Sequence, residues 1–332
     1  MLVTSTVKVL VTGGHGFVGS HVVEELLKRQ FDVYCLVRPT SNLKWIKNLP
    51  VTHCTGDVQD KNSLLSLPRN IDYVFHIAGI INASSEKQYF DTNQLGTLNI
   101  LNAVQKQCPT LQRFVYVSSV AACGPAQELQ PKTEKDEINP VSIYGKSKLG
   151  GEKMLQHYAQ VPYTILRPPP IYGPRDRGLF SLFFAIKKLK GLPLFPPYKR
   201  YYSLVHVRDL AEAIVQSALS PNTIQKTYNI VNSNFNSIED LTQKLGRALN
   251  IKTRMYKIPT SIIYTLVRVC DFYAYVFNKT APISSLRVGD FKAPYWIFSA
   301  HKANQDFGWK NNISLEEGFQ ETALWYIENK WL

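Results

Sequence analysis

The sequence predicts an α/β protein built on a doubly wound parallel sheet with helices on both faces. Three observations lead to this prediction. The opening third of the chain alternates short apolar runs with helix-like stretches. This alternation is typical of the βαβ units that form a parallel sheet. A glycine-rich turn directly follows the first apolar run, as in the first crossover of such sheets. With 332 residues, 45% of them hydrophobic and 19% charged, the chain can also bury a large core.

The elements of this sheet follow one another along the chain. Apolar runs predict strands at residues 7–11, 33–37, 51–55, 73–77, 114–117 and 163–166. Helical spacing of apolar residues predicts helices at 17–29, 92–106 and 144–158. Because helices alternate with strands, neighbouring strands are expected to run parallel.

Prolines mark a boundary after Arg167, at positions 168, 169, 170, 174, 193, 196 and 197. Segments 204–207, 209–219 and 227–231 then resume the earlier pattern. We therefore expect two interleaved domains. The first comprises residues 1–168 plus about 204–235, and the smaller, mostly C-terminal one comprises about 169–203 plus 236–332, with a last helix at 315–329.

Charge and cysteine content exclude several classes of protein. The net charge of +13 suits an anionic cofactor, nucleic acid or an anionic membrane. The densest basic group is only Lys187, Lys188 and Lys190, and no nucleic-acid-binding signature accompanies it, so we expect no nucleic-acid partner. The five cysteines show neither metal-ligand spacing nor a paired framework, and no signal peptide opens the chain. These features favour a cytoplasmic protein with reduced thiols and without a metal.

One segment, residues 260–277, is apolar enough to be considered as a membrane-spanning helix. Arg268 and Asp271 lie in its middle, and a membrane-spanning helix would have to bury both charges. Its apolar residues recur at helical spacing, which predicts an amphipathic helix. Such a helix either packs on its own domain or touches a membrane surface.

The turn after the first strand reads Thr12-Gly13-Gly14-His15-Gly16-Phe17-Val18-Gly19, and a helix begins within it. Glycines at 13, 16 and 19 let the backbone turn sharply and let a pyrophosphate approach the helix N-terminus. The alternative is a turn with a purely structural role. The motif predicts that the first domain binds a dinucleotide and that the second binds the substrate.

The end of the second strand indicates which dinucleotide is bound. An NAD site places a carboxylate there, whereas this chain has Arg38, whose guanidinium can pair with the 2′-phosphate of NADP. NADP is therefore favoured, with NAD as the alternative if Arg38 is an ordinary surface residue. Asp57, after the third strand, is a candidate acceptor for the adenine amine, although Gly56-Asp57 is equally a good loop pair.

Tyr144 and Lys148 lie one helical turn apart, which places an ammonium group beside a phenol. An adjacent cation lowers the pKa of a tyrosine and allows it to exchange protons near neutral pH. Ser118 and Ser119 follow the fifth strand, at the carboxyl edge where ligands of parallel sheets bind. A serine hydroxyl there can donate to a substrate carbonyl, or it can merely cap the turn.

Taken in order, these motifs resemble those of the extended short-chain dehydrogenase/reductase family, which has a Rossmann fold. The resemblance covers nearly the whole chain and depends on Thr12 to Gly19, Gly56-Asp57, His76 to Gly79, Asn93 to Asn99, Val117 to Ser119, Tyr144 to Lys148, Arg167 to Pro174 and Val205 to Ala211.

The resemblance implies a role for each matched residue. Tyr144 would be the general acid and base, Lys148 would lower its pKa and hold the nicotinamide ribose, and Ser119 would position the substrate oxygen. The dinucleotide would contact Gly13, His15, Gly16, Phe17, Val18, Gly19, Arg38, Asp57, Val58, Ala78, Gly79, Tyr144, Lys148, Pro168 and Ile171. Asn93 is expected to be a structural residue of its helix. The resemblance also implies a homodimer.

Two departures from the family pattern bear on the substrate. The chain lacks the tyrosine before Gly124 that is common in sugar-nucleotide branches, and Pro170 replaces an asparagine that binds substrate in many epimerases. Aromatic and leucine residues of the second region would instead suit a hydrophobic pocket, with the alternative that they fill a core. They are Phe180, Leu182, Phe183, Phe184, Leu192, Leu194, Phe195, Tyr198, Tyr201, Tyr202, Tyr264, Phe272, Tyr273 and Tyr275.

The function expected from these features is hydride transfer between NADP(H) and the ketone or alcohol of a steroid-, lipid- or phenol-like substrate. This is similar to the 3β-hydroxysteroid dehydrogenase and dihydroflavonol reductase branches. The alternatives are a nucleotide-sugar epimerase or dehydratase and a non-catalytic NADP sensor. A sensor predicts a damaged set of catalytic residues.

Overall fold

A computed structural model describes residues 6–194, 196–232, 234–259, 261–262, 265 and 288–332. Its centre is a seven-stranded sheet in the order β3-β2-β1-β4-β5-β6-β11, and every pair in it is parallel. These strands are Lys8–Thr12 (β1), Asp32–Val37 (β2), Thr52–Thr55 (β3), Tyr73–His76 (β4), Arg113–Val117 (β5), Tyr163–Arg167 (β6) and Lys226–Asn229 (β11). The predicted Rossmann-like α/β class is confirmed.

The remaining described strands are short: Ile171–Tyr172 (β7), Gly191–Leu194 (β8), Tyr201–Tyr202 (β9), Val205–His206 (β10), Asn236–Ser237 (β12), Arg254–Lys257 (β13) and Tyr295–Trp296 (β14). The described α-helices are Phe17–Lys28 (α1), Glu86–Phe90 (α2), Gly96–Gln107 (α3), Ile143–Tyr158 (α4), Phe180–Leu189 (α5), Val207–Leu219 (α6), Ile238–Ala248 (α7), Val288–Lys292 (α8), His301–Phe307 (α9) and Leu315–Glu328 (α10).

The two faces of the large sheet are covered by different helices. On one face, Leu26 of α1 and Ile214 of α6 pack against the strands in a single buried cluster. On the other face, Ile100 of α3 and Leu155 of α4 do the same. Because the central strands are buried on both faces, they read as continuous apolar runs, and this is why their positions could be predicted to within about two residues.

The second region has a core of its own. Phe183 of α5, Leu245 of α7 and Phe319 of α10 belong to one buried cluster, beside the small sheets β12-β9-β14, β10-β7 and β13-β8. Ala303 and Trp309, however, are buried in the core of the large sheet. The C-terminal part of the chain therefore supports both cores, and the two-domain division remains a prediction.

Two further expectations concern membranes and thiols. Most of segment 260–277 lies outside the described residues, so its predicted helix is not described. Among the residues described, no helix has the length and hydropathy needed to cross a bilayer. Cys35, Cys54, Cys108 and Cys123 are free, and burial raises the pKa of each thiol.

Candidate active site

A cavity of about 760 Å³ lies at the carboxyl edge of the large sheet. It is lined by every residue that the sequence proposed for catalysis or cofactor binding: Gly13, His15, Gly16, Phe17, Val18, Gly19, Arg38, Asp57, Val58, Ala78, Gly79, Ser119, Tyr144, Lys148, Pro168 and Ile171. Parallel strands bring these residues together because β1, β2, β4, β5 and β6 all end at the same edge.

The turn between β1 and α1 requires glycine at two positions. Gly13 has φ +74°, and a Cβ on it would lie 2.8 Å from the backbone nitrogen of Ala78. A Cβ on Gly19 would lie 2.1 Å from the carbonyl oxygen of Gly13. The backbone can therefore fold tightly over the sheet edge only because these side chains are missing. The resulting turn leaves the N-terminus of α1 facing the cavity.

That helix terminus is suited to an anion. Gly16 is its N-cap and supplies no side-chain acceptor, and no acidic residue occupies the first turn. The backbone N–H groups of the first turn and the positive end of the helix dipole are thus available to a phosphate. The buried Nδ1 of His15, at the same turn, has no hydrogen-bond partner among the described residues. Burial and the nearby Arg38 lower the pKa of His15, which favours the neutral ring.

Arg38 and Asp57 lie at the mouth of the cavity. The Arg38 side chain is exposed, and its backbone N–H donates to the Ser41 hydroxyl at 3.0 Å. One Asp57 carboxylate oxygen accepts from the backbone N–H of Gln59 at 3.0 Å. Asp57 therefore shapes its own loop and has one carboxylate oxygen left for a ligand.

Tyr144 and Lys148 lie on the face of α4 that lines the cavity. Lys148 Nζ donates to the Val117 carbonyl at 2.8 Å and lies 4.3 Å from the centre of the Tyr116 ring. A Cβ on Gly79 would lie 3.5 Å from the same Nζ. Burial lowers the pKa of Lys148 to about 7, although the Glu152 carboxylate opposes that shift. The Lys148 amine therefore lies in the cavity wall, held by the Val117 carbonyl above the Tyr116 ring.

The two serines after β5 make different contacts. Ser118 is buried, and its hydroxyl donates to Glu152 Oε1 at 2.5 Å. Ser119 is half-buried, and its Oγ accepts from the backbone N–H of Ala121 at 3.1 Å. That contact leaves the Ser119 proton available to a ligand. Both serines line the cavity, and the role of Ser119 that the resemblance implies stays a prediction.

Sequence reasoning missed Glu152, which lies one turn beyond Lys148 on α4. Its side chain is fully buried and receives two hydrogen bonds from Arg167, at 2.9 and 2.5 Å. Burial alone would lower the pKa of Arg167, but Glu152 outweighs this and holds it above the usual value. The available signal was the spacing 144, 148, 152, which places all three residues on one helix face. This ion pair joins α4 to β6 beneath the proposed catalytic residues.

Asn93 was expected to be a structural residue of its helix, and its hydrogen bonds connect three elements. Its side chain accepts from the Ile80 backbone N–H at 2.9 Å and donates to the Ser147 hydroxyl at 3.0 Å. Residues Asp91–Leu95 form a single π-helical turn, which directs this side chain into the cavity wall. Asn93 thus fixes the loop after β4 against α4.

The cavity has two walls of different character. We call the wall formed by residues 13–19, Arg38, Asp57 and Ala78 the loop half, and the wall formed by Ile80, Ile81, Tyr202 and Trp296 the apolar half. Asp176, whose pKa burial raises to about 6, lies in the same cavity, and its oxygens accept from the backbone N–H groups of Gly178 and Leu179.

The predicted aromatic pocket is wrong in its membership. Of that set, Tyr202 lines the cavity, whereas Phe180 and Phe183 pack edge-on against Tyr326 in the second core. Phe195, Tyr264, Phe272, Tyr273 and Tyr275 lie outside the described residues. The error has a physical reason: aromatic side chains at helical spacing most often fill a core. The apolar residues Ile80 and Ile81 come instead from the loop after β4.

The chain is similar to proteins with two kinds of activity. A model of the NAD dependent epimerase/dehydratase family matches residues 9–231. The ceramide reductase of Caulobacter vibrioides is 26% identical over 324 residues, which cover 98% of this chain and 96% of the reductase. The UDP-glucose 4-epimerase of Vibrio cholerae is 26% identical over 332 residues, which cover 96% of this chain and 95% of the epimerase.

A solved structure shares the fold. The UDP-glucose 4-epimerase of Thermus thermophilus, crystallised in complex with NAD, aligns with a TM-score of 0.76 at 23% identity, over 96% of this chain and 99% of the epimerase. Proteins named as UDP-glucose epimerases are frequent among the relatives and fold neighbours. The ceramide reductase acts, by its name, on a lipid.

Proposed function

Because the chain belongs to the NAD-dependent epimerase/dehydratase family of extended short-chain dehydrogenases/reductases, we propose that it transfers a hydride between NADP(H) and the ketone or alcohol of a hydrophobic substrate. The observation that supports this most is the apolar half of the cavity. Ile80, Ile81 and Trp296 line the same cavity as Tyr144. Apolar side chains contribute affinity for hydrocarbon and make few hydrogen bonds to a sugar.

The loop half fits a dinucleotide. The N-terminus of α1 would hold the pyrophosphate, and Arg38 would pair with a 2′-phosphate. Lys148 and Ala78 would approach the nicotinamide ribose and ring. When bound, the nicotinamide supplies or accepts the hydride. NAD remains the alternative cofactor, because Arg38 is exposed and can also remain solvated.

The residues around the reacting carbonyl would handle the proton. In the direction of reduction, the Ser119 hydroxyl donates a hydrogen bond to the substrate oxygen, and Tyr144 gives its proton to that oxygen as the hydride reaches the carbon. The Lys148 ammonium stabilises the resulting phenolate. Solvent then returns a proton to Tyr144. Oxidation of the alcohol follows the same steps in reverse.

A second candidate is a nucleotide-sugar epimerase, and the frequency of such enzymes among the relatives favours it. Such a substrate brings a diphosphate into the substrate side of the cavity. In the described lining of that side, Arg177 is accompanied by the carboxylates Asp176 and Asp290, and this is a poor charge balance for a diphosphate. The proline at 170 also offers no side-chain hydrogen bond. A non-catalytic sensor fits less well, because Ser119, Tyr144 and Lys148 all line the cavity.

One assay separates the two enzymes. The purified protein is incubated with NADPH and a series of ketones of increasing chain length, and in parallel with UDP-glucose and no added cofactor. The proposal expects consumption of NADPH equal to the alcohol formed, with kcat/KM rising with chain length. Conversion of UDP-glucose without net use of cofactor would instead establish the epimerase.

Two expectations about the whole protein follow from the same resemblance. We expect a homodimer, to be measured by light scattering on a gel-filtration column, where a monomer would contradict it. We also expect a cytoplasmic protein, because the four free thiols are held protonated by burial and suit a reducing compartment.

A further inference from the structure

Two segments of the sequence contain basic residues and no acidic ones. Between Asp176 and Asp209 there are seven Lys or Arg residues and no Asp or Glu, and between Asp240 and Asp271 there are six and none. The whole chain has a net charge of +13, and these two segments contribute much of this excess of positive charge. Whether they form one surface depends on the fold.

The fold joins the two segments through β8 and β13. These strands pair in parallel, with Arg254 opposite Gly191 and Lys257 opposite Leu194. The Tyr256 hydroxyl donates to the carbonyl of Leu189, the last residue of α5, at 3.1 Å. The end of α5 and the strand β13 therefore lie side by side. We call the surface that they share the α5–β13 patch.

The patch combines exposed cations with exposed apolar side chains. Its cations are Lys187, Lys188, Lys190, Lys252, Arg254 and Lys257, all exposed, and none forms an ion pair within the part of the chain that is described. Its apolar members are Phe184, Leu189, Met255 and Tyr256, with 41% to 55% of each side chain exposed. Tyr256 and Leu189 adjoin, so exposed apolar groups lie among cations that form no ion pair in the described part of the chain.

We propose that the α5–β13 patch binds the surface of an anionic lipid bilayer. The cations match phosphate headgroups in charge, and leucine and methionine side chains between lysines enter the boundary between headgroups and acyl chains. A nucleic acid or an acidic protein would use the same cations but gain little from Leu189 and Met255. The apolar members therefore select the bilayer among the anionic partners.

The position of the patch relates membrane binding to the cavity. Helix α5 begins next to Leu179, which lines the cavity, and its ten residues end in the patch about 15 Å away. A protein docked in this way holds its cavity near the bilayer surface. Binding itself does not depend on the proposed oxidoreductase activity, since none of the patch residues lines the cavity.

The test measures sedimentation of the full chain with vesicles of phosphatidylcholine, with and without phosphatidylglycerol. We expect binding only when phosphatidylglycerol is present, and weaker binding as salt is added. The variant K187Q/K188Q/K190Q should lose about 100-fold in partition coefficient, since each cation near an anionic surface contributes about five-fold. The variant L189S/M255S keeps every charge and should lose about ten-fold.

The matched control is K61Q/K106Q/K310Q, which removes the same charge from exposed lysines elsewhere on the chain. Equal loss in this control would overturn the proposal, because net charge alone would then explain the binding. Absence of binding to anionic vesicles, or vesicle binding that L189S/M255S leaves unchanged, would also overturn it. Reduction of a small water-soluble ketone should be unchanged in every variant, which shows that each has folded. If no variant, nor the parent chain, reduces any ketone, the proposed function fails while the vesicle result still stands.

Discussion

The loop half and the apolar half of the cavity are built from different parts of the chain. The loop half consists of short turns at the ends of β1, β2, β3 and β4, and its shape depends on glycines that admit no Cβ. The apolar half combines Ile80 and Ile81 with Tyr202 and Trp296, which lie far apart in sequence and meet only in the fold. Local sequence determines the first wall, and long-range packing determines the second.

This difference explains how the two halves can serve different purposes. A turn with required glycines tolerates little variation, so it suits a ligand that is common to many enzymes. A wall of separate side chains can change one residue at a time, so it suits a substrate that differs from enzyme to enzyme. Tyr144, Lys148 and Ser119 lie where the two halves meet.

The largest effect is expected at that meeting point. Tyr144→Phe removes the proton donor and should lower kcat by about 100- to 10,000-fold, with the affinity for NADPH nearly unchanged. Single-turnover kinetics and fluorescence titration with NADPH measure the two quantities. Tyr158→Phe is the matched control, because Tyr158 is exposed on the same helix. Normal turnover in Tyr144→Phe would contradict the proposed mechanism.

The next effect concerns the support beneath the catalytic residues. Glu152→Gln leaves Arg167 buried without its counterion and should destabilise the fold by about 3–5 kcal/mol. Since the Glu152 carboxylate raises the pKa of Lys148, the substitution should also lower that pKa further below about 7. The alkaline fall in kcat should then move to lower pH. Urea unfolding and a pH–rate profile measure the two effects.

A second variant separates structure from catalysis at this position. In Glu152→Gln/Arg167→Met no buried charge is left unpaired, so most of the stability should return. The alkaline fall in kcat should nevertheless remain at the lower pH. If the pH–rate profile returned to that of the parent chain together with the stability, Glu152 would act on folding alone.

A moderate effect is expected at the mouth of the loop half. Arg38→Asp should weaken NADPH binding by about 10- to 100-fold, as expected for the loss of a charge-assisted contact, and should strengthen NADH binding. Isothermal titration with both cofactors measures the change. The exposed Arg69, which does not line the cavity, provides the control Arg69→Asp. An unchanged ratio of affinities would refute the role of Arg38.

The smallest effect is expected in the apolar half. Ile81→Ser should raise KM for a long-chain ketone by about five-fold and leave KM for NADPH unchanged, because it removes apolar contact area only. With 57% of its side chain exposed, Ile81 can be replaced without loss of stability. Leu65→Ser, at 66% exposure outside the cavity, is the matched control. A similar rise in KM for short and long ketones would contradict an apolar substrate.

The same contrast governs what the sequence could predict. The central strands, the glycine turn, Tyr144 and Lys148 were predictable because each depends on neighbours in sequence. Glu152 was missed because its role depends on a partner, Arg167, that only the fold brings near. Asn93 was named as a structural residue, but its partner Ile80 could be identified only from the fold. The aromatic residues of the second region were misassigned because composition does not distinguish a core from a pocket.

The central claim is that one cavity joins a nicotinamide cofactor to an apolar carbonyl substrate beside Tyr144. The most direct measurement uses NADPH that carries two deuterium atoms at C4 of the nicotinamide, a long-chain ketone and mass spectrometry of the alcohol. The account predicts one deuterium on the carbinol carbon of each product molecule, and no transfer with Tyr144→Phe. Product without deuterium, or label that stays on the cofactor while UDP-glucose is converted to its epimer, would contradict it.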